Sequence, residues 1–290
     1  MQYGVIINPA AQHGKARLRI KDIEQYLRGQ QKPFKIYITK GTGHARECAR
    51  EAVKKGCRRI IAAGGDGLVN EIAGVLINKT VSLGVVPIGT GNDFARTLKM
   101  PMQLHDALSY AITKPDRLID TGICNNQVFI NCIGIGYDGM VAHELYRRRI
   151  QGKRTISYLP IVLSTLRAYN ESLVTCIVDG KKSSELLFLC SIGNGKFAGG
   201  GFKLTPEAEI DDGHLDICLM RAMPQSKRLP AVMKTMRGKH GILSAVSFYT
   251  AKSITLISDT PIPAHFDGEI MKHTKYVIKI RPRSLRVVSC

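Results

Sequence analysis

Tryptophan is absent from this chain, and aromatic residues make up only 6% of it. Proteins that hold nucleic acid by stacking bases need aromatic platforms, so that mode is poorly served here. None of the eight cysteines, at 48, 57, 124, 132, 176, 190, 218 and 290, forms a C-x-x-C pair, and most sit in apolar surroundings. Free buried thiols in a reducing compartment fit this pattern better than a disulfide framework or a zinc site. The histidines lack H-x-x-x-H and H-E-x-x-H spacing, which argues against a zinc enzyme. The P-loop pattern G-x-x-x-x-G-K-[ST] and the hydrolase elbow G-x-S-x-G are missing too. The longest apolar run, around Leu186–Ile192, has the length of a strand and falls far short of the roughly 20 residues of a membrane span. Residues 1–11 carry no basic stretch ahead of their apolar residues, so a strand from residue 3 is expected rather than a secretory leader. A soluble, cytoplasmic protein is the expectation.

Acidic side chains are scarce as well: 42 Lys and Arg stand against 23 Asp and Glu in 290 residues, a net charge of +19. Such an excess points to a polyanionic partner, whether nucleic acid, an anionic membrane surface or a phosphate-bearing substrate. The apolar content of 44% is enough for a full core, and the length allows one large domain or two medium ones.

Along residues 1–125 two periods alternate. Short β-branched runs at 3–8, 34–39, 58–64 and 83–89 read as strands, and the helical spacing of 15–28 and 43–55 fills the gaps, with Gly29 and Gly56 as stops. That alternation predicts a parallel sheet covered by helices. From about residue 126 the texture changes to strands at 127–135, 173–179, 185–192, 214–221, 253–258 and 275–281, interrupted by helical stretches at 139–149 and 156–169. The Asp-Gly in VDGKK, 178–182, marks a tight hairpin. The expected architecture is an α/β domain over 1–125, with residues 282–290 packing back on it, followed by a mostly antiparallel β-rich domain over 126–281 and a cleft between the two.

Two loops carry the chemistry. Ala63-Gly64-Gly65-Asp66-Gly67-Leu68-Val69-Asn70-Glu71 ends a strand and opens a helix. Glycines there let a ligand approach the backbone, and a helix N-terminus favours phosphate. Pro87-Ile88-Gly89-Thr90-Gly91-Asn92-Asp93 repeats the arrangement one strand later, at the edge where open α/β sheets bind ligands. Thr90 and Asn92 suit phosphate or ribose oxygens, and Asp93 suits a helix cap or a metal-bound water. Asn8 lies at the same edge. Read alone, each loop could equally be a glycine-rich turn capped by its Asp.

These motifs resemble the diacylglycerol kinase catalytic-domain family, including its soluble bacterial lipid kinases. The match continues through N-C-I-G-I-G-Y-D-G (131–139), P-E-A-E-I-D-D-G-H-L-D-I (206–217) and F-D-G-E (266–269), and so spans nearly the whole chain. The resemblance implies an NAD-kinase-like three-layer α/β domain, a β-rich acceptor domain, and transfer of the γ-phosphoryl of Mg-ATP to a lipid hydroxyl. The nucleotide set it implies is Asn8, Thr39, Gly64, Gly65, Asp66, Gly67, Asn70, Glu71, Gly89, Thr90, Gly91, Asn92 and Asp93. It implies a structural Mg²⁺ in the loop 209–214, held by the Asp212 side chain and by carbonyls near Glu209 and His214. Read from the residues alone, that loop is as well explained by an ordinary Asp-Gly turn. Glu269 matches the family's general base, with Asp66 as its rival. Leu68 departs from the Thr usual after G-G-D-G in bacterial diacylglycerol kinases, and so leaves the acceptor lipid open.

Basic clusters lie at Arg147, Arg148, Arg149, Lys153 and Arg154, at Lys227, Arg228, Lys234, Arg237 and Lys239, and at Lys279, Arg281, Arg283 and Arg286. A peripheral position at an anionic inner membrane surface accounts for them better than nucleic acid does. A homodimer is also compatible with the sequence. Two alternatives remain at this stage: an NAD-kinase-like enzyme acting on a soluble acceptor, and a non-catalytic basic phosphate-ligand or nucleic-acid binding protein on the same fold.

Overall fold

The computed structural model describes residues 2–30, 32–151 and 158–289. The chain divides into two compact units, Met1–Asp120 with Arg283–Cys290, and Thr121–Pro282.

In the first unit, β1 (Tyr3–Ile7), α1 (Arg19–Arg28), β2 (Phe34–Ile38), α2 (His44–Lys54), β3 (Arg59–Gly64), α3 (Asp66–Leu76) and β4 (Ser82–Pro87) alternate as the two periods imply. After them come α4 (Asp93–Thr97), α5 (Leu104–Thr113) and β5 (Asp116–Cys124). All pairings among the first four strands are parallel, in the order β2-β1-β3-β4, and the chain's last strand adds Val287 beside Leu83. The helix predicted over 15–28 starts later, because residues 11–18 wind as a 3₁₀ helix. Gly14, at φ +88°, lies inside that stretch and suits a tighter turn than an α-helix. Odd-numbered residues of β1 (Tyr3, Val5, Ile7) pack with Ala16, Ile23 and Leu27 of the first helical segment and with Ala107 and Ala111 of α5. Gly4 faces the other way, where a Cβ would stand 3.1 Å from Ala52 of α2. The helices therefore cover both faces of the sheet. The chain leaves β1 toward β2 and then crosses back to β3, which makes the gap between β1 and β3 the topological switch point.

The second unit adds β6 (Gln127–Phe129), β7 (Cys132–Gly136), α6 (Tyr137–Ile150), α7 (Tyr158–Ala168), β8 (Ser172–Val178) and β9 (Lys181–Gly193). It continues with β10 (Leu215–Arg221), α8 (Gln225–Thr235), β11 (Val246–Ala251), β12 (Ser253–Phe266) and β13 (Glu269–Val288). Its sheet is antiparallel, in the order β13-β12-β9-β10-β11, with β7 and β8 end to end between β12 and β9. Three two-residue hairpins, at Asn125-Asn126, Asp179-Gly180 and Asp267-Gly268, all have positive φ at both positions. Mirror-image turns of this kind match the twist of the strands.

The expected strand 127–135 is broken at 130–131. The Pro-rich stretch 260–263 proves to lie inside β12, where the register shifts between Ile257 and Ile262. Pro261 falls in this irregular stretch, where a missing N–H breaks no regular pairing, while Pro263 stands in register opposite Lys272. One face of the sheet is covered by α6, α7 and α8, with Tyr137 stacked on Phe188 at 4.8 Å and Tyr169 edge-on to both. The seven described cysteines are buried and unpaired. Lys153 and Arg154 of the first basic cluster lie outside the described residues.

Candidate active site

The first unit collects most of the predicted nucleotide residues at the carboxyl edge of its parallel sheet. Asn8 follows β1, Thr39 follows β2, Gly65 follows β3 and Gly89 follows β4. The Asn8 N–H reaches Ala63 O at 3.0 Å, and the Asn8 side chain accepts the Ala10 N–H, which folds the chain sharply away from β1. Thr39 is buried, its N–H bonded to Ile7 O. The two glycine loops touch each other. A Cβ on Gly89 would lie 2.3 Å from Gly65 Cα, so this approach requires glycine at position 89, while a Cβ on Gly65 would be tight at 3.3 Å from Gly89 Cα. Asn92, at φ 54° and ψ 40°, closes its loop by accepting the Gly89 N–H and donating to Gly89 O. Gln12 donates to the same carbonyl from across the switch point, an anchor the sequence did not reveal. Thr90 and Gly67 are exposed, and open space surrounds a Cβ built on Gly67.

Asp66 ties the loops together. Its Oδ1 accepts the Phe94 N–H at 3.0 Å, so this carboxylate caps α4, a helix 28 positions further along the chain. Burial pushes its carboxyl above the ordinary range, against the pull of the Phe94 N–H and the neighbouring N–H groups. In α3 the Val69 N–H is the first to bond back, to Gly65 O, which leaves the first turn's donors without acceptors in the helix. Asp93 and Asn70 are buried. Glu71 accepts the Gly43 N–H at 3.0 Å, holding the 39–44 loop, while its Oε2 is buried without a hydrogen bond. A backbone-lined cradle with free helix donors fits the phosphates of a nucleotide.

In the second unit the F-D-G-E residues separate into two roles. Asp267 is buried, and its carboxylate accepts three backbone N–H groups, from Ile130 (2.6 Å), Asn131 (3.0 Å) and Cys132 (2.9 Å). These bonds draw residues 130–131 out of the ladder and break the strand expected over 127–135. Glu269, two residues on and past the tight turn, is exposed and makes no ion pair or side-chain hydrogen bond among the described residues.

Gly134 makes room for a pairing that spacing could not reveal. His265 Nε2 lies 3.1 Å from Asp138 Oδ2, both side chains nearly buried, and a Cβ on Gly134 would strike both. Asp138 also lines a narrow apolar cavity of about 30 Å³ among α6, α7 and α8, with Tyr137, Val162, Leu189, Phe202 and Val232.

In the loop 209–214, the Asp212 Oδ1 accepts the His214 N–H, and His214 Nδ1–H turns back onto Asp212 O. The His214 ring is thus engaged within the turn. Among the described residues no group of three or more His, Cys, Asp or Glu side chains is arranged to hold a metal. One carboxylate plus carbonyls is the donor set this loop offers, and Asp212, Asp211 and Glu209 are exposed. Negative charge does gather here. Burial, and then the carboxylates of Asp212 and Glu207, push Asp216 up to about 6. Such a loop fits a hard cation.

An α/β unit with paired glycine loops at the carboxyl edge of its parallel sheet, followed by a β-rich unit that carries F-D-G-E, is a fold of the phosphate-ligand-binding α/β class. Residues 2–124 match the model for the diacylglycerol kinase catalytic domain, and residues 131–289 match the YegS C-terminal NAD kinase beta sandwich-like domain. The chain belongs to the YegS-like lipid kinases of the diacylglycerol kinase catalytic-domain family. It is 30% identical to the "Probable lipid kinase YegS-like" of Chromohalobacter salexigens, over 86% of this chain and 82% of that relative. The protein of the same description from Cronobacter sakazakii is 31% identical over 90% of this chain and 87% of its own. In fold, the chain resembles a crystal structure of a diacylglycerol kinase from Bacillus anthracis, with a TM-score of 0.78, 23% identity, and coverage of 100% of this chain and 97% of that one.

Proposed function

We propose that this kinase uses ATP to phosphorylate a lipid hydroxyl, diacylglycerol or a related lipid, at an anionic membrane surface. The observation that carries the reading is the contact of the two glycine loops through Gly65 and Gly89, braced by Asp66. That contact sets two glycine-rich turns side by side at the sheet's carboxyl edge, and backbone of this kind suits the close approach of phosphates. Asn8, Gly64, Gly65, Gly67, Gly89, Thr90 and Gly91 would hold the phosphates, while Thr39, Asn70 and Glu71 would shape the rest of the nucleotide site. ATP with Mg²⁺ supplies the transferable phosphoryl group and the neutralisation of its charge. A second cation would sit at Asp212 in a structural role.

Glu269 takes the proton. A lipid hydroxyl is a poor nucleophile, and an exposed carboxylate with no intramolecular partner is free to accept its proton as the oxygen–phosphorus bond forms. Asp66 is less suited, because one of its oxygens already serves α4. The narrow cavity beside Asp138 is a candidate for the acceptor's apolar end. At about 30 Å³ it holds little more than a water or two, so the helices around it must part to admit an acyl chain.

Incubation with labelled ATP and a panel of lipids, with NAD as the soluble control, tests the reading. Phosphorylated lipid and unlabelled NAD are expected. Glu269→Gln should lower kcat by about 10²–10⁴-fold with ATP affinity near normal. Labelled NAD alone would overturn the assignment. A normal Glu269→Gln beside an inactive, ATP-binding Asp66→Asn would exchange the two roles.

A further inference from the structure

The longest stretch without an acidic residue among the basic clusters contains α8: between Asp216 and Asp259 there is no Asp or Glu. The inner face of α8 is firmly seated. Arg228 is buried and donates to Leu166 O, Tyr169 O and Glu171, and Val232 and Thr235 wall the apolar cavity. Its outer face is divided lengthwise. At about 100° per residue, Leu229, Met233 and Met236 fall within roughly 60° of arc. They are 39%, 46% and 47% exposed. The adjoining arc carries Lys234 and Lys227, and Arg237 and Lys239 extend from the turn that follows the helix. None of these four cations has an acidic partner among the described residues, in contrast to Arg147 and Arg148, which share Glu144.

We propose that this outer face of α8 is the surface by which the protein docks on an anionic lipid bilayer. An apolar stripe beside long cationic side chains is the pattern of a helix lying in the plane of a membrane interface: the stripe enters the acyl boundary and the cations remain at the phosphates. A second copy of the chain is a poorer occupant, since a two-fold contact through this face would bring the unpaired lysines and arginines of both copies together. Docking here places the wall of the apolar cavity against the membrane, on the side from which a lipid would arrive. The proposal rests on the lipid-kinase reading for its purpose, but its test reads binding and not turnover.

The test is co-sedimentation with vesicles of equal parts phosphatidylglycerol and phosphatidylcholine, and with phosphatidylcholine alone. Wild type should bind the anionic vesicles strongly at low salt and weakly at high salt. Lys227→Gln/Lys234→Gln/Arg237→Gln should weaken binding about fivefold per cation removed, or about 10²-fold together. Leu229→Gln/Met233→Gln/Met236→Gln should abolish the part that survives high salt. Both variants should melt like wild type, because every altered side chain lies on the outer face. Lys21→Gln/Lys54→Gln/Lys79→Gln removes as much charge from exposed positions of the first unit and should lose no more than a few-fold. Equal losses in the two charge variants, or wild-type vesicle binding by the apolar variant, would overturn the proposal. So would an apolar variant that only shifts the mass in light scattering from dimer to monomer. If wild type phosphorylates no lipid but still binds vesicles through α8, the docking face stands and the kinase reading falls.

Discussion

Asp267 and Glu269 stand two positions apart in one turn, yet burial separates their work. The Asp267 carboxylate is the acceptor for three buried N–H groups, while Glu269 projects into solvent without a partner. Removing a shared acceptor leaves donors desolvated at about 1–3 kcal/mol each. Asp267→Ala should therefore lower stability by at least ~3 kcal/mol, seen as a large fall in Tm, and lose activity along with the fold. Glu269→Gln should leave Tm unchanged and lower kcat alone. Thermal melts run beside the kinetics separate these outcomes, and a cool-melting Glu269→Gln would refute the division. Asp66 and Asp138 show why such roles are not legible in the sequence. Each acts through a residue far along the chain, Phe94 and His265, and spacing carries no information about that.

Glycine loops and hairpins set the geometry at the next scale. Gly89→Ala drives a methyl group into Gly65 backbone atoms at 2.3 and 2.9 Å, which no rotamer change can relieve. It should cost roughly 1–3 kcal/mol and raise the KM for ATP as the loops separate. Gly67→Ala meets nothing within 4 Å and should melt like wild type, so a raised KM there would report the ligand and not the fold. The turn 240–242 after α8 offers a pH-dependent case. His240 is fully buried, with Nε2–H donating to Leu204 O and Nδ1 lacking a partner. Burial lowers its pKa, with the Leu204 bond opposing. Protonation then favours the unfolded chain, where histidine titrates near 6.5. This contribution to stability is complete above about pH 6.5 and is lost as pH falls below it. Tm measured across that window should decline, and His240→Gln should flatten the decline. An unchanged slope in the variant would remove His240 from the explanation.

For the whole molecule, charge is the governing quantity. An excess of +19 is spread over many surfaces, yet parts of it are already spent within the fold: Arg228 on the end of α7, Arg286 on Asp116, Arg147 and Arg148 on Glu144. Bonds from the last pair draw Glu144 down to about 2. Among the described residues no helix is long and apolar enough to cross a membrane. A cation at the Asp212 loop would stabilise the folded chain by mass action, about 2.7 kcal/mol at a hundredfold excess over Kd. Melting in Mg²⁺ and in excess chelator should then differ for wild type and coincide for Asp212→Ala. Identical wild-type melts in both would show that the loop is an ordinary turn.

Hydrophobic period and turn chemistry are local properties, and they sufficed for the alternating α/β half, the VDGKK hairpin and the two glycine loops. Five ordered motifs likewise sufficed for the family, because each constrains its own backbone. Strand order, the break at 130–131 and the burial of Arg228 depend on contacts between distant segments. So do the capping of α4 by Asp66 and the Asp138–His265 pair. Those were decided only in the tertiary structure, where packing determines which polar groups lose water and must find one another.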